Sequence, residues 1–371
     1  MNIVDVAIIG GGLHGCSAAL HLAQLGARVV LLEQNTLGQH ASGVNAGGVR
    51  TLNRHITEVP LALQAQSMWH KIEQLVDDDC GFRASSQLRL ALDKEGVVAL
   101  QQRHRQLRAL GYDHEQWLDA AQVREQVPEV NPACRGGLMV AADGHADPVR
   151  TVTAFAHKLQ QLKVDVRQRT AVTNLRQRQG QWQIQAGTER ILAARVLNCG
   201  GAWGDRIANW MGDQLALQAR APMLMVTASI AHFLRPVIGI EGRMLSFKQR
   251  SNGTVLVGGG YLGKADRQVG RAQLNCSGLR SSARTVLEVF PAMAGVNIIR
   301  AWAGLEGYTP DQLPYLGRGR QQGAFHAFGF SAHGFQLAPF VGKIMAEMIL
   351  GENDHRSLLQ PFTPDRLRLG D

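Results

Sequence analysis

The chain has 371 residues, 45% hydrophobic and 19% charged, which is ordinary for a soluble globular protein with room for two domains. Its net charge is +9, but the arginines are dispersed and no nucleic-acid-binding motif accompanies them, so we expect a solvated basic surface or attraction of anionic substrates, not nucleic-acid binding. Five scattered cysteines without a C-x-x-C pair indicate no disulfide framework, iron–sulfur cluster or metal site, and fit a cytoplasmic location. We expect no transmembrane segment and no signal peptide, since the apolar runs are short and the first is already a strand.

The first fifty residues predict a dinucleotide-binding unit. An apolar run at residues 4–9 leads into Gly-Gly-Gly-Leu-His-Gly, and a second run ends at Glu33. Gly10 permits a tight turn, Gly12 a close approach of backbone to phosphates, and Gly15 the packing of a helix on the strand. The helix N-terminus then offers N–H groups to a pyrophosphate, while Glu33 accepts hydrogen bonds from ribose hydroxyls. This carboxylate disfavours a 2′-phosphate, and therefore NADP.

Helical and strand periodicities alternate along the rest of the chain. Asp147 and Pro148 predict the start of a helix, residues 251–253 (Ser-Asn-Gly) a hairpin turn, and Gly351 the cap of the last helix. The sequence predicts helices at residues 60–76, 97–110, 278–290 and 337–350. It predicts strands at residues 88–92, 164–166, 171–175, 182–186, 191–198 and 324–328, and a hairpin over residues 243–258.

These elements predict an α/β protein, α+β overall, with two interleaved domains. A Rossmann-like cofactor domain with a parallel sheet is assembled discontinuously, and a substrate domain with a mainly antiparallel sheet is inserted into it. The expected cofactor domain comprises residues 1–80, 145–215 and 300–371, and the substrate domain residues 81–144 and 216–299.

Six further motifs follow the glycine-rich turn. They are Ala-Ser-Gly-Val-Asn-Ala-Gly-Gly at residues 41–48, Asp-Pro at 147–148, Asn-Cys-Gly-Gly-Ala-Trp at 198–203, Arg-Ala-Trp-Ala-Gly-Leu at 300–305, Thr-Pro-Asp at 309–311, and Gly-Phe-Ser-Ala-His-Gly-Phe-Gln at 329–336. In this order and spacing they resemble the D-amino-acid-oxidase-like superfamily of FAD-dependent amine oxidoreductases, which includes glycine and sarcosine oxidases. The resemblance covers nearly the whole chain, and its closing segment looks most like D-hydroxyproline dehydrogenases, opine oxidase subunits and the flavin subunit of hydrogen cyanide synthase.

The resemblance implies FAD as the cofactor. Some relatives attach flavin through a cysteine, but the approximate position here is Gly304 and no cysteine lies near it in sequence, so we expect non-covalent FAD. Val172 matches the strand whose backbone holds adenine, and the N-terminus of the final helix would stabilise negative charge on reduced flavin. The FAD-binding residues implied are Gly10, Gly12, Leu13, His14, Gly15, Glu33, Gln34, Ser42, Asn45, Ala46, Gly47, Gly48, Val172, Cys199, Gly200, Trp203, Gly304, Gly334, Phe335 and Gln336.

The reaction implied is oxidation of the C–N bond of an amino or imino acid. We expect a secondary amine resembling D-hydroxyproline or D-proline, with hydride transfer to flavin N5 and an imine product. Alternatives are an opine or glycine/sarcosine-type oxidase, or a flavin-bearing subunit that passes electrons to a partner chain; a homo-oligomer is a further option. A nicotinamide dehydrogenase would not explain residues 41–48 or 329–336.

The substrate side departs from glycine oxidase. By alignment, the arginine after that family's Gly-Leu pair corresponds to Glu306, its late-loop arginine to Ala332 or His333, and its tyrosine to the region of Met244. Arg50 is our first candidate for binding a substrate carboxylate; Arg243 and Arg300 are weaker ones. Glu306 can serve as a base toward the amine or pair with an arginine, and His333 can donate a hydrogen bond over the flavin or merely cap a turn.

Overall fold

A computed structural model describes residues 3–353 and 355–368. In this part of the chain, no helix combines the length and the apolar character needed to cross a bilayer. All five cysteines are unpaired, and Cys276 is the exposed one.

The strands and helices of the described chain have the following bounds. The strands are β1 (Val4–Ile9), β2 (Val29–Leu32), β3 (Gly48–Val49), β4 (Gln87–Ala91), β5 (Gln116–Asp119), β6 (Gly136–Val140), β7 (Gly144–His145), β8 (Asp165–Arg167), β9 (Val172–Arg178), β10 (Gln181–Ala186), β11 (Glu189–Asn198), β12 (Gln218–Thr227), β13 (Val237–Ile240), β14 (Arg243–Gln249), β15 (Val255–Gly258), β16 (Leu262–Asp266), β17 (Arg271–Gln273), β18 (Ile298–Ala303), β19 (Glu306–Tyr308), β20 (Tyr315–Arg318) and β21 (Ala324–Phe328). The helices are α1 (Leu13–Gln24), α2 (Ala41–Val44), α3 (Val59–Trp69), α4 (Ile72–Val76), α5 (Lys94–Ala109), α6 (Ala120–Gln126), α7 (Pro148–Gln161), α8 (Gly204–Trp210), α9 (Cys276–Val289), α10 (Gly334–Leu350) and α11 (Arg356–Leu359).

The first sheet has a parallel centre. Its central order is β20-β21-β11-β1-β2-β8, in which all neighbours are parallel except β20 and β21. β10 also pairs with β11, and β9 with β10, both antiparallel. Ile9 pairs with both Leu32 and Asn198, so three strands end side by side at one edge. Ligands of open parallel sheets bind at the carboxyl ends of the strands, so this edge is where a dinucleotide site is expected.

The second sheet is mainly antiparallel. It follows the order β17-β16-β12-β15-β14-β13-β4-β6-β5, with β18 and β19 also paired to β12. β19 and most of β18 lie in the segment 300–371 that the sequence assigns to the cofactor domain. Both nevertheless pair with the long strand β12 of the second sheet. The division into two domains remains a prediction.

The two largest apolar cores pack the helices against the sheets. One lies where α1, α3, α7 and α10 pack near the parallel sheet, and it includes the fully buried Trp69 and Phe155. The other lies between the second sheet and α9, where the rings of Phe247 and Phe290 stack with centroids 4.7 Å apart. At roughly 1.5–3 kcal/mol for each large apolar side chain, these cores outweigh any single polar contact in the fold.

Most of the predicted elements are confirmed. The Asp147 carboxylate accepts hydrogen bonds from Val149 N and Arg150 N at the start of α7, the turn at 251–253 joins β14 to β15, and Gly351 ends α10 at φ 82°. The prediction of one helix over residues 60–76 is wrong. The chain forms α3 and α4 instead, and between them the His70 ring contacts Ala142 O at 3.0 Å. Apolar periodicity continues through such a break, so it does not reveal it.

A buried carboxylate, that of Asp143, connects the loop between β6 and β7 to the segment after β3 and to α3. Asp143 is fully buried and accepts hydrogen bonds from Thr51 N at 2.7 Å, Thr51 Oγ1 at 2.9 Å, Leu52 N at 2.9 Å and Gln66 Nε2 at 2.5 Å. Burial raises the pKa of Asp143 to about 6, although the donors on Leu52 and Thr51 act in the opposite direction. The loop between β6 and β7 thereby fixes the segment that follows β3.

We expect Asp143→Ala to destabilise the protein by roughly 3 kcal/mol or more, because it leaves several buried donors without an acceptor. Urea unfolding of the purified protein measures this loss. Asp165→Ala, which removes a partly exposed partner of Arg167, is the matched control and should cost about 0.5 kcal/mol or less. Equal losses for the two variants would contradict the anchoring role of Asp143.

Candidate active site

Glycines form the tight turn at the carboxyl ends of the parallel strands. Gly10 has φ +111°, and a Cβ there would lie 2.2 Å from the carbonyl oxygen of Cys199. A Cβ on Gly15 would lie 2.0 Å from the carbonyl oxygen of Gly10. Only glycine fits these positions, so the turn after β1 brings α1 and the end of β11 into direct contact.

Glu33 lies beside this turn. Its carboxylate accepts hydrogen bonds from Gly11 N at 2.7 Å and Asn35 N at 2.8 Å, and its residue exposure is 8%. Burial raises its pKa above the usual range, although the two amide donors act in the opposite direction. Each carboxylate oxygen keeps a further lone pair, so the group can still accept hydrogen bonds from a ribose.

The segment containing α2 lies across the N-terminus of α1. The Ser42 hydroxyl accepts a hydrogen bond from Leu13 N at 2.9 Å, and Asn45 Oδ1 accepts one from Gly47 N at 2.6 Å. Trp302 on β18 donates from its indole to Val44 O at 2.9 Å. This indole therefore connects the α2 segment to the second sheet.

One cavity of about 570 Å³ runs between the two sheets. It is lined by these predicted cofactor residues: Gly10, Gly12, Leu13, His14, Glu33, Gln34, Ser42, Asn45, Ala46, Gly48, Val172, Cys199, Gly200, Trp203, Gly304, Gly334 and Phe335. Gly15, Gly47 and Gln336 do not line it. Gln336 is fully buried behind the wall, where its Nε2 donates to Ala62 O at 2.7 Å and its Oε1 accepts from Arg54.

All three predicted catalytic residues, Arg50, Glu306 and His333, line the same cavity. Arg50 is half-buried, and its NH1 donates to Leu52 O at 2.8 Å and Asn53 O at 3.4 Å. Burial, followed by the nearby charges of Arg54 and Arg89, lowers the pKa of Arg50 to about 9. A cation in this setting favours an anionic ligand.

Glu306 is held by a strained loop. Its Oε1 accepts a hydrogen bond from Ala332 N at 2.7 Å, while Ser331 and Ala332 have φ values of 50° and 69°. Burial raises the pKa of Glu306 to about 7. Left-handed backbone at two consecutive non-glycine residues is costly and occurs where a site requires it.

The two weaker candidates for binding a substrate carboxylate, Arg243 and Arg300, have other partners. Arg243 lines the cavity but pairs closely with Glu288, and Arg300 does not line the cavity, since its guanidinium lies over the Trp302 ring. The structural partner of Arg300 is thus an aromatic ring.

Sequence reasoning missed three charged residues of this site. Arg54, Glu58 and Arg89 lie at the same end of the cavity as Arg50; Arg54 and Arg89 line it, and Arg89 pairs closely with Glu241. The Arg54–Glu58 spacing of four residues was a visible signal, but it resembles an ordinary helix-surface ion pair. For Arg89, the alternation of β4 shows only that the side chain faces away from Leu88 and Leu90.

The residues present fit FAD. A glycine turn that a Cβ would fill, a helix N-terminus, an acidic residue at the end of β2 and a long cavity to the second sheet define a dinucleotide-binding protein with a Rossmann-like fold. Within the described ranges, no group of three or more His, Cys, Asp or Glu side chains is arranged to hold a metal ion.

Comparison with known proteins names the family. The sequence matches the FAD dependent oxidoreductase family, DAO, over residues 5–348, and the chain belongs to it. It is 25% identical to glycine oxidase from Geobacillus kaustophilus, over 93% of this chain and 92% of the relative, and 25% identical to an opine oxidase subunit from Rhizobium meliloti, over 94% of each. The crystal structure of L-proline dehydrogenase from P. horikoshii superposes with a TM-score of 0.90 at 23% identity, covering 98% of both chains. The protein is thus an FAD-dependent oxidoreductase, and its sequence is similar to those of glycine oxidase and an opine oxidase subunit.

We expect Gly10→Ala to abolish FAD binding, because the added methyl group would force the turn away from Cys199. Flavin absorbance per purified protein measures the loss. Gly26→Ala is the matched control: it has a similar positive φ of +83° but nothing within 4 Å of the added carbon. It should cost about 1 kcal/mol of backbone strain and keep its flavin. Loss of flavin in both variants would show that backbone strain alone accounts for the effect.

Proposed function

We propose that the protein oxidises the C–N bond of an amino or imino acid, with a cyclic secondary amine such as D-hydroxyproline or D-proline as substrate. The bound FAD would accept the hydride that leaves the substrate carbon. The carrying observation is the placement on the wall of one cavity of Arg50, which makes no ion pair with any described residue, and of Glu306, a carboxyl of near-neutral pKa.

Arg50 would bind the substrate carboxylate. Among residues 3–353 and 355–368, no carboxylate lies within 4.0 Å of its guanidinium, whereas the neighbouring Arg54 and Arg89 are paired with Glu58 and Glu241. A half-buried guanidinium with part of its donor set directed into a cavity suits a carboxylate bound through charge-assisted hydrogen bonds. The amino acid would thereby be fixed at one end.

Glu306 would act at the other end as the base that removes a proton from the substrate ammonium. Amine oxidation requires a free nitrogen lone pair, so the ammonium must lose a proton before the hydride leaves. A carboxyl whose pKa is raised to about 7 by burial is matched to this task near neutral pH.

The relatives support an amine substrate. They include a glycine oxidase, an opine oxidase subunit and the beta chain of a sarcosine oxidase, the last from Arthrobacter at 24% identity over 99% of this chain and 91% of the relative. Sarcosine is itself a secondary amine. The cyclic substrate is our finer proposal, and the replacement of glycine oxidase's arginine by Glu306 favours a substrate that presents a second polar group there.

A second proposal is that the chain is the flavin-bearing subunit of a heteromeric dehydrogenase. Two of the relatives are named as subunits, and each aligns over more than nine-tenths of this chain. Gel filtration of the chain expressed alone, followed by an assay with an artificial electron acceptor, distinguishes the proposals. An active, stable homo-oligomer or monomer would contradict the need for a partner.

Arg50→Gln should weaken the binding of substrates that carry a carboxylate and leave the binding of amines without one unchanged. In an anaerobic screen we expect D-proline and D-hydroxyproline to bleach the wild-type flavin, and pyrrolidine, the same ring without the carboxylate, to bleach it poorly. The variant should raise the KM for D-proline about 10–100-fold, equivalent to about 1.5–3 kcal/mol of charge-assisted hydrogen bonding, and leave pyrrolidine unaffected.

Arg243→Gln is the control for this experiment, because Arg243 lines the cavity but is already paired with Glu288. It should change KM less than about threefold. If Arg50→Gln and Arg243→Gln change KM alike, the proposal that Arg50 binds the substrate carboxylate is refuted. If opines, sarcosine or glycine bleach the flavin and the proline analogues do not, the cyclic substrate is refuted while amine oxidation stands.

Glu306→Gln should lower turnover roughly 10²–10⁴-fold without lowering flavin content. A base works when deprotonated, so wild-type kcat/KM should rise with pH up to about 7 and this acid limb should disappear in the variant. Stopped-flow flavin reduction between about pH 5 and 9 checks both effects, with the pKa of the free substrate amine determined separately. A retained limb near pH 7 in the variant would assign it to another group.

A further inference from the structure

Glu58 is a buried carboxylate that the proposed mechanism does not use. It ends the short 3-10 helix Ile56–Glu58, directly before α3, and its side chain is 0% exposed. Its Oε2 lies 2.9 Å from His333 Nδ1 and 3.9 Å from Arg54 NH1. In the described chain, neither oxygen makes a hydrogen bond, and the close approach to His333 Nδ1 is an electrostatic contact whose angles do not meet hydrogen-bond geometry. Asp143, by contrast, has its acceptors filled by four donors.

Such a carboxylate is costly to bury and requires a compensating interaction. Burial alone would raise its pKa, but His333, then Arg54 and Arg50, hold the pKa of Glu58 below its usual range. Glu58 is therefore an anion in the folded protein. The nearest donor to that anion is the Nδ1 of His333.

The contact fixes the tautomer of His333. A carboxylate oxygen 2.9 Å away repels the lone pair of an imidazole nitrogen and attracts its proton, so the proton of a neutral ring resides on Nδ1, and Nε2 is then an acceptor. Burial lowers the pKa of His333; Glu58 opposes this shift, and Arg54 and Arg50 reinforce it. The ring is thus neutral near neutral pH.

The second ring nitrogen is open to the cavity. His333 lines it, with 19% of its side chain exposed. Its Nδ1 is buried, whereas Nε2 is neither buried nor bonded to any described residue. The accessible edge of the ring is therefore the edge that carries the lone pair.

The backbone of His333 is fixed independently of its ring. Arg54 NH2 donates to Gln336 Oε1 at 3.0 Å and lies 3.4 Å from His333 O, while Trp69 Nε1 donates to Gln336 O at 2.7 Å. These bonds join the N-terminus of α10 to α3 and its preceding turn. Both the position and the tautomer of the imidazole are thus set by the segment 54–69.

We propose that Glu58 is a positioning residue that holds His333 as the Nδ1–H tautomer, so that Nε2 accepts a hydrogen bond from the substrate amine. This inference rests on the proposed amine oxidation. A secondary ammonium carries two N–H groups; Glu306 takes one proton, and the remaining N–H donates to His333. When the hydride and its electron pair leave the carbon for FAD, the nitrogen becomes part of a positively charged iminium. Its hydrogen bond to His333 then strengthens, which stabilises the transition state more than the bound substrate.

Glu58→Gln is the first test, because an amide can donate to Nδ1 and favour the other tautomer. We expect kcat for D-proline to fall about 10–100-fold with KM little changed and flavin content retained, in the direction known for a carboxylate that orients a histidine. Glu347→Gln is the matched control, since it removes the carboxylate partner of His355 far from the cavity. It should leave kcat unchanged.

The kinetic test is completed by a double-mutant cycle. If Glu58 acts through His333, the double variant Glu58→Gln/His333→Gln should turn over no more slowly than His333→Gln alone. Independent, multiplicative losses would overturn the proposal. Glu58→Asp keeps the charge and should retain more activity than Glu58→Gln; the reverse order would also overturn it.

A spectroscopic readout does not depend on activity. ¹⁵N NMR of labelled histidines, with the His333 signals assigned by their loss in His333→Gln, should show Nδ1 protonated and Nε2 unprotonated in the wild type, and a shifted tautomer in Glu58→Gln. A protonated Nε2 in the wild type overturns the proposal even if Glu58→Gln fails to fold. The predicted tautomer in a protein that oxidises no amine would instead overturn the proposed function and, with it, the role of Nε2 toward substrate.

Discussion

The hydrogen bonds to one buried carboxylate determine the geometry of the reactive end of the cavity. Asp143 binds the backbone at Thr51 and Leu52, one residue after Arg50 and two residues before Arg54. Because it belongs to the loop between two strands, it ties this segment to the layer that carries Arg89. The charged groups on the cavity wall thus owe their spacing to a residue that does not itself line the cavity.

Several features at this end of the cavity cost folding free energy. Such features are expected at a site that acts on its ligand through charge. This end of the cavity contains three arginines, several buried or half-buried carboxylates and the left-handed backbone of Ser331 and Ala332. None of these improves stability, and each is kept only because the surrounding packing is strong enough to hold it. The apolar cores on either side supply that packing.

The local features of the fold could be predicted from the sequence because short-range physics decides them. A glycine that must adopt φ +111°, an aspartate that caps a helix before proline, and an Asn-Gly turn each act within a few residues. The dinucleotide site followed from the glycine turn and Glu33, whereas FAD and the rest of its cavity wall were implied by the resemblance to a known family. Glu306 and His333 could be named because Glu306, and either Ala332 or His333, align with arginines of glycine oxidase.

The charged partners could not be predicted because they meet only in three dimensions. Glu58 and His333 lie 275 positions apart in numbering, and nothing near Glu58 in sequence distinguishes it from a solvated carboxylate at the start of a helix. The same holds for Arg89, whose neighbours show an alternating strand and no more. The extension of β18 and β19 into the second sheet likewise depends on pairing with β12, which is distant in the chain.

The parallel pairing of β1 with β11, and of β11 with β21, has a kinetic consequence for the flavoprotein. Val4 meets Ala193, and Val196 meets Ala324, so the central sheet closes only after nearly the whole chain is available. Contacts of such long range form slowly and expose unpaired strand edges in the meantime. FAD can bind only the closed sheet and must stabilise it by mass action. Every molecule that retains flavin has therefore completed this long-range pairing.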